Sequence, residues 1–282
     1  MENPPVTVWV LDQSRERTRV LDTAERFLEG KHAIVTGGSR GIGAAIASEF
    51  VSRGAKVTIM GRDRETLERQ AQEMRGEEGV TIAVEPCDVT DGNSVTSAFS
   101  RAIANLGPAY ILVNNAGTAK SRTFTQLTRD IWDETISVNL TGTYLCTSEV
   151  LPGMIEASEG RIINVASTAG LRGYRTMSAY CASKHGIIGL TRALALETAK
   201  QGITVNAVCP SYTDTYITSL AVDNIVKNLN KTADEAMGML VGTIPRGRLI
   251  TPEEVASAVS WLSSPDASGV TGIALPIAGG EV

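Results

Sequence analysis

Tyr180 and Lys184 stand four positions apart in the run Ser178-Ala179-Tyr180-Cys181-Ala182-Ser183-Lys184. Residues at i and i+4 of a helix share one face, so the ammonium lies beside the phenol. A free phenol has a pKa of about 10 and exchanges protons poorly near neutrality, whereas a neighbouring cation favours the phenolate and lowers that value. The pair therefore reads as a general acid/base with Lys184 as its activator. Ser167, thirteen residues before Tyr180 in Asn164-Val165-Ala166-Ser167, offers a hydroxyl to hold a substrate oxygen. Asn139, in Val138-Asn139-Leu140-Thr141-Gly142, offers an amide that could fix a water relaying protons to Lys184. The neighbours His185, on another helical face, and Cys181 read as packing residues.

A second constellation lies far upstream. The apolar run 32–36 leads straight into Gly37-Gly38-Ser39-Arg40-Gly41-Ile42-Gly43, and a helical pattern follows. Glycines at that spacing allow a tight turn and bring a pyrophosphate close to a helix N-terminus, where unpaired N–H groups favour an anion. Gly37, Ser39, Gly41, Ile42 and Gly43 are thus candidate dinucleotide contacts. Which dinucleotide binds depends on the end of the second apolar run, Thr58-Ile59-Met60-Gly61-Arg62-Asp63. Gly61 occupies the place of a ribose-binding acid, and Arg62 together with Arg40 could grip a 2′-phosphate through forked, charge-assisted hydrogen bonds. This reading gives NADP. The rival makes Asp63 the ribose acid and the cofactor NAD, although Asp63 is also well placed to cap the helix that follows. Asp88 and Val89 after the third run, and Asn115, Ala116 and Gly117 after the fourth, extend the site. Asp88 could accept from an adenine amino group, and Asn114 reads as a structural brace.

These residues need a scaffold that delivers them to one edge. Short Val/Ile-rich runs at 32–36, 56–60, 80–84, 110–113, 161–165, 204–208 and 272–276 alternate with amphipathic segments such as 42–53, 64–75, 94–105, 178–200 and 252–263. The expected fold is α/β, a doubly wound Rossmann fold with a seven-stranded parallel sheet and helices on both faces. Residues 31–282 read as one domain and 1–30 as an N-terminal extension packed on it or on a neighbouring subunit. The segment 211–245 reads as a substrate lid. With 168–179, which includes Leu171, Tyr174 and Met177, it should line the substrate pocket, and its Tyr212, Tyr216, Ile217, Leu220 and Met237 suggest an apolar ligand.

Composition excludes other classes. The 26 Lys and Arg against 31 Asp and Glu leave a net charge of -5, without the basic face that nucleic-acid binding needs. The four cysteines are scattered and only two histidines could join them, so neither a metal site nor a disulfide framework is expected. No run reaches the ~20 apolar residues of a membrane helix. The expectation is a soluble, cytoplasmic protein acting on a small molecule.

In order and spacing, the glycine loop 36–43, Asp88, 114–117, Asn139, Ser167, Tyr180 and Lys184 resemble the short-chain dehydrogenase/reductase family. The similarity spans nearly all of 31–282. Leu28-Glu29-Gly30-Lys31, Pro252-Glu253-Glu254-Val255-Ala256 and Val270-Thr271-Gly272 resemble its 3-oxoacyl-thioester reductase branch. The resemblance implies a homotetramer, or alternatively a dimer, that transfers hydride between a nicotinamide and a ketone or secondary alcohol. It implies that Tyr180 is the acid in reduction, that Lys184 lowers its pKa and binds the nicotinamide ribose, that Ser167 positions the carbonyl and that Asn139 completes a proton relay. Pro210, Thr213 and Thr215 are then cofactor contacts, Thr213 through its backbone and Thr215 through its hydroxyl. Two positions depart from the family pattern: Ser211 follows Pro210 where a glycine is usual, and Ala278 precedes Gly279-Gly280 where an acid is usual. The alternatives are a dehydrogenase of cyclic, steroid or sugar alcohols, and a protein that senses a dinucleotide without turning it over.

Overall fold

The computed structural model describes residues 26–75 and 80–282; most of the expected extension, residues 1–25, lies outside the described residues. Strands β1 (His32–Thr36), β2 (Lys56–Gly61), β3 (Ile82–Pro86), β4 (Ala109–Asn114), β5 (Gly160–Val165), β6 (Ile203–Pro210) and β7 (Ala274–Ile277) form one parallel sheet in the order 3-2-1-4-5-6-7. Helices α1 (Gly41–Ser52), α2 (Arg64–Met74), α3 (Gly92–Leu106), α4 (Arg129–Ile136), α5 (Gly142–Ala157), α6 (Ser178–Thr198), α7 (Tyr216–Leu229), α8 (Ala233–Val241) and α9 (Pro252–Ser263) connect and cover them. This is the expected doubly wound fold.

The apolar runs are continuous because the sheet is buried on both sides. Val35, Ile59, Ile111 and Ile163 enter one core with Ile46 and Phe50 of α1, Leu67 of α2 and Val259 of α9. Their sequence neighbours Ile34, Met60, Leu112 and Ile162 enter the other, with Phe99 of α3, Val150 of α5 and Leu194 of α6. Phe50 and Phe99 are fully buried, each contributing about 1.5–3 kcal/mol relative to exposure.

Several boundaries differ from expectation. β3 runs two residues later than 80–84, because its ladder to β2 begins at Val57↔Ile82 and ends at Gly61↔Pro86. Pro86 is tolerated because β3 is an edge strand, where a missing N–H breaks no second ladder. β7 likewise starts at Ala274, paired with Ala207. The long helix stops at Thr198 and continues as a 3-10 turn, Ala199–Gln201. The segment expected as a lid holds two helices, α7 and α8, packed on each other through Val222, Ala236 and Leu240.

After β3 the chain returns to lay β4 on the other side of β1, which opens a crevice at the carboxyl edge between them. Both constellations meet at that edge.

Candidate active site

At the nucleotide end, Gly43 has no room for a side chain. A Cβ there would stand 2.3 Å from the Gly37 carbonyl oxygen and 2.5 Å from Asn115 Nδ2. Gly37 itself turns through φ +64°. The loop is held from below by two residues. Asn115 Nδ2 donates to the carbonyls of Thr36 and Gly37 at 3.0 Å each, and Thr36 Oγ1 accepts from the backbone N–H groups of Asn115 and Ala116. The Asn115 amide therefore shapes the cradle. No side chain caps the N-terminus of α1, so its first N–H groups are left to an anion.

Arg40 and Arg62 are both exposed beside this N-terminus, at the ends of adjacent strands, and neither has a carboxylate in ion-pair range among the described residues. The Arg40 guanidinium lies 4.7 Å from the centroid of the Tyr216 ring, at the start of α7. Asp63 caps α2, its Oδ1 accepting from Thr66 N–H at 2.7 Å, and that bond holds its carboxyl below the usual range. One of its two carboxylate oxygens is thereby committed to the helix. Asp88 Oδ1 accepts from both the N–H and the hydroxyl of Thr90, at 3.0 and 2.7 Å, and these bonds lower its pKa more than nearby Arg62 does. The Val89 side chain packs in the core against Gly142, so only its backbone is open to a ligand. Thr215 closes over the loop: its Cγ2 would lie 3.2 Å from a Cβ at Gly41. Its hydroxyl donates to the Thr213 carbonyl at 3.3 Å, and Thr218 donates to the same oxygen.

At the reacting end, Ser167 lies two residues past the end of β5. Its hydroxyl accepts from Ala169 N–H at 3.1 Å, donates to the Pro210 carbonyl at 3.4 Å and lies close enough to the Tyr180 phenol to oppose the rise in its pKa. Lys184 lies beneath, 5% exposed, with Nζ donating to the Val165 carbonyl at 2.8 Å and 5.6 Å from the Tyr180 ring centroid. Burial draws its pKa from 10.5 down to about 8.

Two expectations need correction here. The Tyr180 pKa is not lowered: burial pushes it up to about 12, against the opposing pull of the Ser167 hydrogen bond. The ammonium that should favour phenolate points at a carbonyl instead, and its own charge is weakened by desolvation. Nor is the Asn139 amide free to hold a water. It is fully buried, donating to the Thr118 carbonyl and to Ser183 Oγ at 3.0 Å each and accepting from Thr118 N–H at 2.8 Å. It fixes the backbone beside Gly117, where a Cβ would stand 3.8 Å from Lys184 Nζ. Asn139 reaches this place from a π-helical turn, Ser137–Thr141, between α4 and α5. His185 is exposed and bonds back to the Cys181 carbonyl, and Cys181 is half-buried, so neither is the core packing residue expected. Asn114 does brace the sheet: Nδ2 donates to Asn164 Oδ1 at 2.9 Å and to Thr147 Oγ1.

The family described as short chain dehydrogenase matches residues 31–225. The chain belongs to that family. Among short-chain dehydrogenases and their relatives, it is 40% identical over 254 residues to the 3-oxoacyl-acyl-carrier-protein reductase of Vibrio harveyi, covering 90% of this chain and 98% of the other. It is 38% identical to 2-(S)-hydroxypropyl-CoM dehydrogenase 3 of Xanthobacter autotrophicus over 253 residues, 90% of this chain and 97% of that protein. A crystal structure of a single-substitution variant of actinorhodin polyketide ketoreductase with NADPH superposes with a TM-score of 0.86 at 37% identity, covering 89% and 97% of the two chains.

Within this short-chain dehydrogenase site, sequence reading missed the task of Thr36, and missed Ser183 and Glu281 altogether. The first two act through a hydroxyl that ties backbone or amide groups together, and single Ser and Thr residues carry no spacing signal. Among the described residues no group of His, Cys, Asp and Glu could hold a metal ion, and no helix is long and apolar enough to cross a membrane.

Proposed function

We propose that this chain is an NADPH-dependent reductase of a 3-oxoacyl thioester or a similar apolar ketone. The observation that carries this reading is the meeting of the Ser167 hydroxyl, the Tyr180 phenol and the Lys184 ammonium at the edge where the glycine cradle opens. The residues fit NADP better than NAD: Arg40 and Arg62, neither within ion-pair range of a carboxylate among the described residues, flank the uncapped α1 terminus, while Asp63, the candidate ribose acid, caps α2. Gly37, Ser39, Gly41, Ile42 and Gly43 would hold the pyrophosphate, and Arg40 and Arg62 the 2′-phosphate. Asp88 Oδ2 and the Val89 backbone would meet the adenine. Ala116, Gly117, Tyr180, Lys184, Pro210, Thr213 and Thr215 would line the nicotinamide end. When bound, the cofactor supplies the hydride that adds to the carbonyl carbon.

The chain's own groups handle the oxygen. Ser167 donates a hydrogen bond to it and fixes its direction. Tyr180, neutral well past physiological pH because its pKa is raised, retains the proton it must deliver to the forming alkoxide. Lys184 supplies positive charge below the phenol as it gives that proton up, and Asn139 pins the Thr118 backbone beside the ammonium. A phenol held neutral suits reduction more than alcohol oxidation. The dehydrogenase relative keeps the reverse direction as the second reading.

Residues 31–282 act as one catalytic domain with 1–30 as an extension, in a cytoplasmic homotetramer. The tetramer is supported by Tyr144 on α5 and Leu196 on α6, exposed to 57% and 84%. Light scattering of the purified protein should give a four-chain particle; a monomer would refute the assembly. The function is tested by offering 3-oxoacyl thioesters, cyclic ketones, steroids and sugars with NADPH and with NADH. Turnover of the thioesters or cyclic ketones with NADPH is expected, and preference for NADH or for sugars would refute the reading.

A further inference from the structure

We infer that Glu281 is a positioning residue for the reaction, holding together the two loops that set the Ser167 hydroxyl. The inference rests on the reading in which Ser167 orients the carbonyl. Glu281 follows β7 and is half-buried. Its Oε1 accepts from the Tyr174 phenol at 2.5 Å, and its Oε2 accepts from the Ser211 hydroxyl. Its backbone carbonyl accepts from Arg172 Nη1 at 3.2 Å, and that guanidinium lies over the Tyr174 ring. Tyr174 Oη is also bonded to Thr168 Oγ1 at 2.7 Å.

The position of these partners in the chain gives the cluster its meaning. Thr168 immediately follows Ser167, and Ser211 immediately follows Pro210, whose carbonyl faces the Ser167 hydroxyl. β5 and β6 are adjacent strands whose ladder ends at Val165↔Val208, and β6 runs on to Pro210 beside β7. Directly at Ser211, and through Tyr174 at Thr168, one carboxylate therefore links the residue after Pro210 to the residue after Ser167. Carboxylates are acceptors only, and O–H···O⁻ bonds of 2.5–2.7 Å are about twice as strong as neutral ones, so this bridge is stiff. Burial raises the Tyr174 pKa and the neighbouring Glu281 charge raises it further, which keeps the phenol a donor in the bridge. With the carboxylate gone, Tyr174 and Ser211 lose their acceptor and Ser167 keeps only the weak contact at 3.4 Å to the Pro210 carbonyl.

The test is steady-state reduction of acetoacetyl-CoA by NADPH, or of whichever ketone in the panel the wild type reduces, with Glu281→Ala and the isosteric Glu281→Gln. Both substitutions are also made in a Ser167→Ala background. Small displacements of a reacting group are costly, so Glu281→Ala should lower kcat about 10- to 100-fold while leaving NADPH affinity unchanged by fluorescence titration. Glu281→Gln keeps one acceptor oxygen and should fall between. In the Ser167→Ala background, where there is no hydroxyl left to position, either change should alter the residual rate by no more than about twofold. Should Glu281→Ala fail to fold, Glu281→Gln carries the same comparison. An unchanged kcat in both single variants, or losses that multiply in the Ser167→Ala background, would overturn the inference while the function stands. A wild type that reduces no ketone at all overturns the proposed function, and this inference with it.

Discussion

Lys184 keeps an ammonium away from water, with the Val165 carbonyl as its hydrogen-bond acceptor. Its pKa falls to about 8 in the folded protein, so between there and 10.5 the folded chain has released a proton that the unfolded chain still holds. Stability from this group therefore rises with pH through that window, and below it the charged form destabilises the fold. Lys184→Met should melt higher than wild type at neutral pH, with the difference narrowing as pH climbs from 8 towards 10.5, while reductase activity is lost. A variant that melts lower at neutral pH would show that the ammonium is satisfied in the fold. The two arginines are a separate case. Each lost charge-assisted hydrogen bond is worth about 1.5–3 kcal/mol, so Arg40→Ala and Arg62→Ala should each raise the KM for NADPH roughly 10- to 100-fold and leave that for NADH nearly unchanged. Equal losses with both cofactors would point to a structural role, for Arg40 its contact with Tyr216.

At the scale of elements, the glycine loop and the start of α1 work as one rigid turn. Gly43→Ala places a methyl 2.3 Å from the Gly37 carbonyl, an overlap that forces the turn open. A loss of about 1–3 kcal/mol is expected from such overpacking, together with weaker NADPH binding, both measurable by thermal melts with and without cofactor. Gly189, exposed on α6 with open space where a methyl would stand, is the contrast: Gly189→Ala should stabilise by about 0.5–1 kcal/mol through helix propensity alone. The central elements were legible because their apolar runs are buried on both faces and leave no alternative to a parallel sheet. Edge strands β3 and β7 were displaced because pairing with a neighbour, not local hydrophobicity, sets their ends. The helices α4 and α5 went unnamed; in α5, Gly142 opens the helix and Pro152 lies inside it, residue types that weaken a helical pattern. Asn139 could be picked out as a site residue, but its task could not. That task depends on a π-helical turn carrying it to Thr118 and Ser183, 21 and 44 residues away. The direction of the Tyr180 shift was hidden for a similar reason: spacing shows that a lysine is near, whereas desolvation depends on everything packed around the phenol.

For the molecule as a whole, a net charge of -5 coexists with a local site where two arginines flank a helix terminus. The sheet topology produces that reversal by bringing the ends of β1 and β2 together, and it places Ser167, Tyr180 and Lys184 along the same edge. Cofactor recognition and proton delivery thus share one scaffold, and the proposed chemistry stands or falls on whether the proton comes from Tyr180. The direct measurement is NADPH oxidation driven by a ketone that the wild type reduces, compared with Tyr180→Phe under saturating cofactor. The substitution removes one hydroxyl and leaves Lys184 and Ser167 in place. Loss of a general acid costs about 10²–10⁴-fold, so kcat should fall by that factor while NADPH still binds. A Tyr180→Phe enzyme that turns over at the wild-type rate would contradict this mechanism.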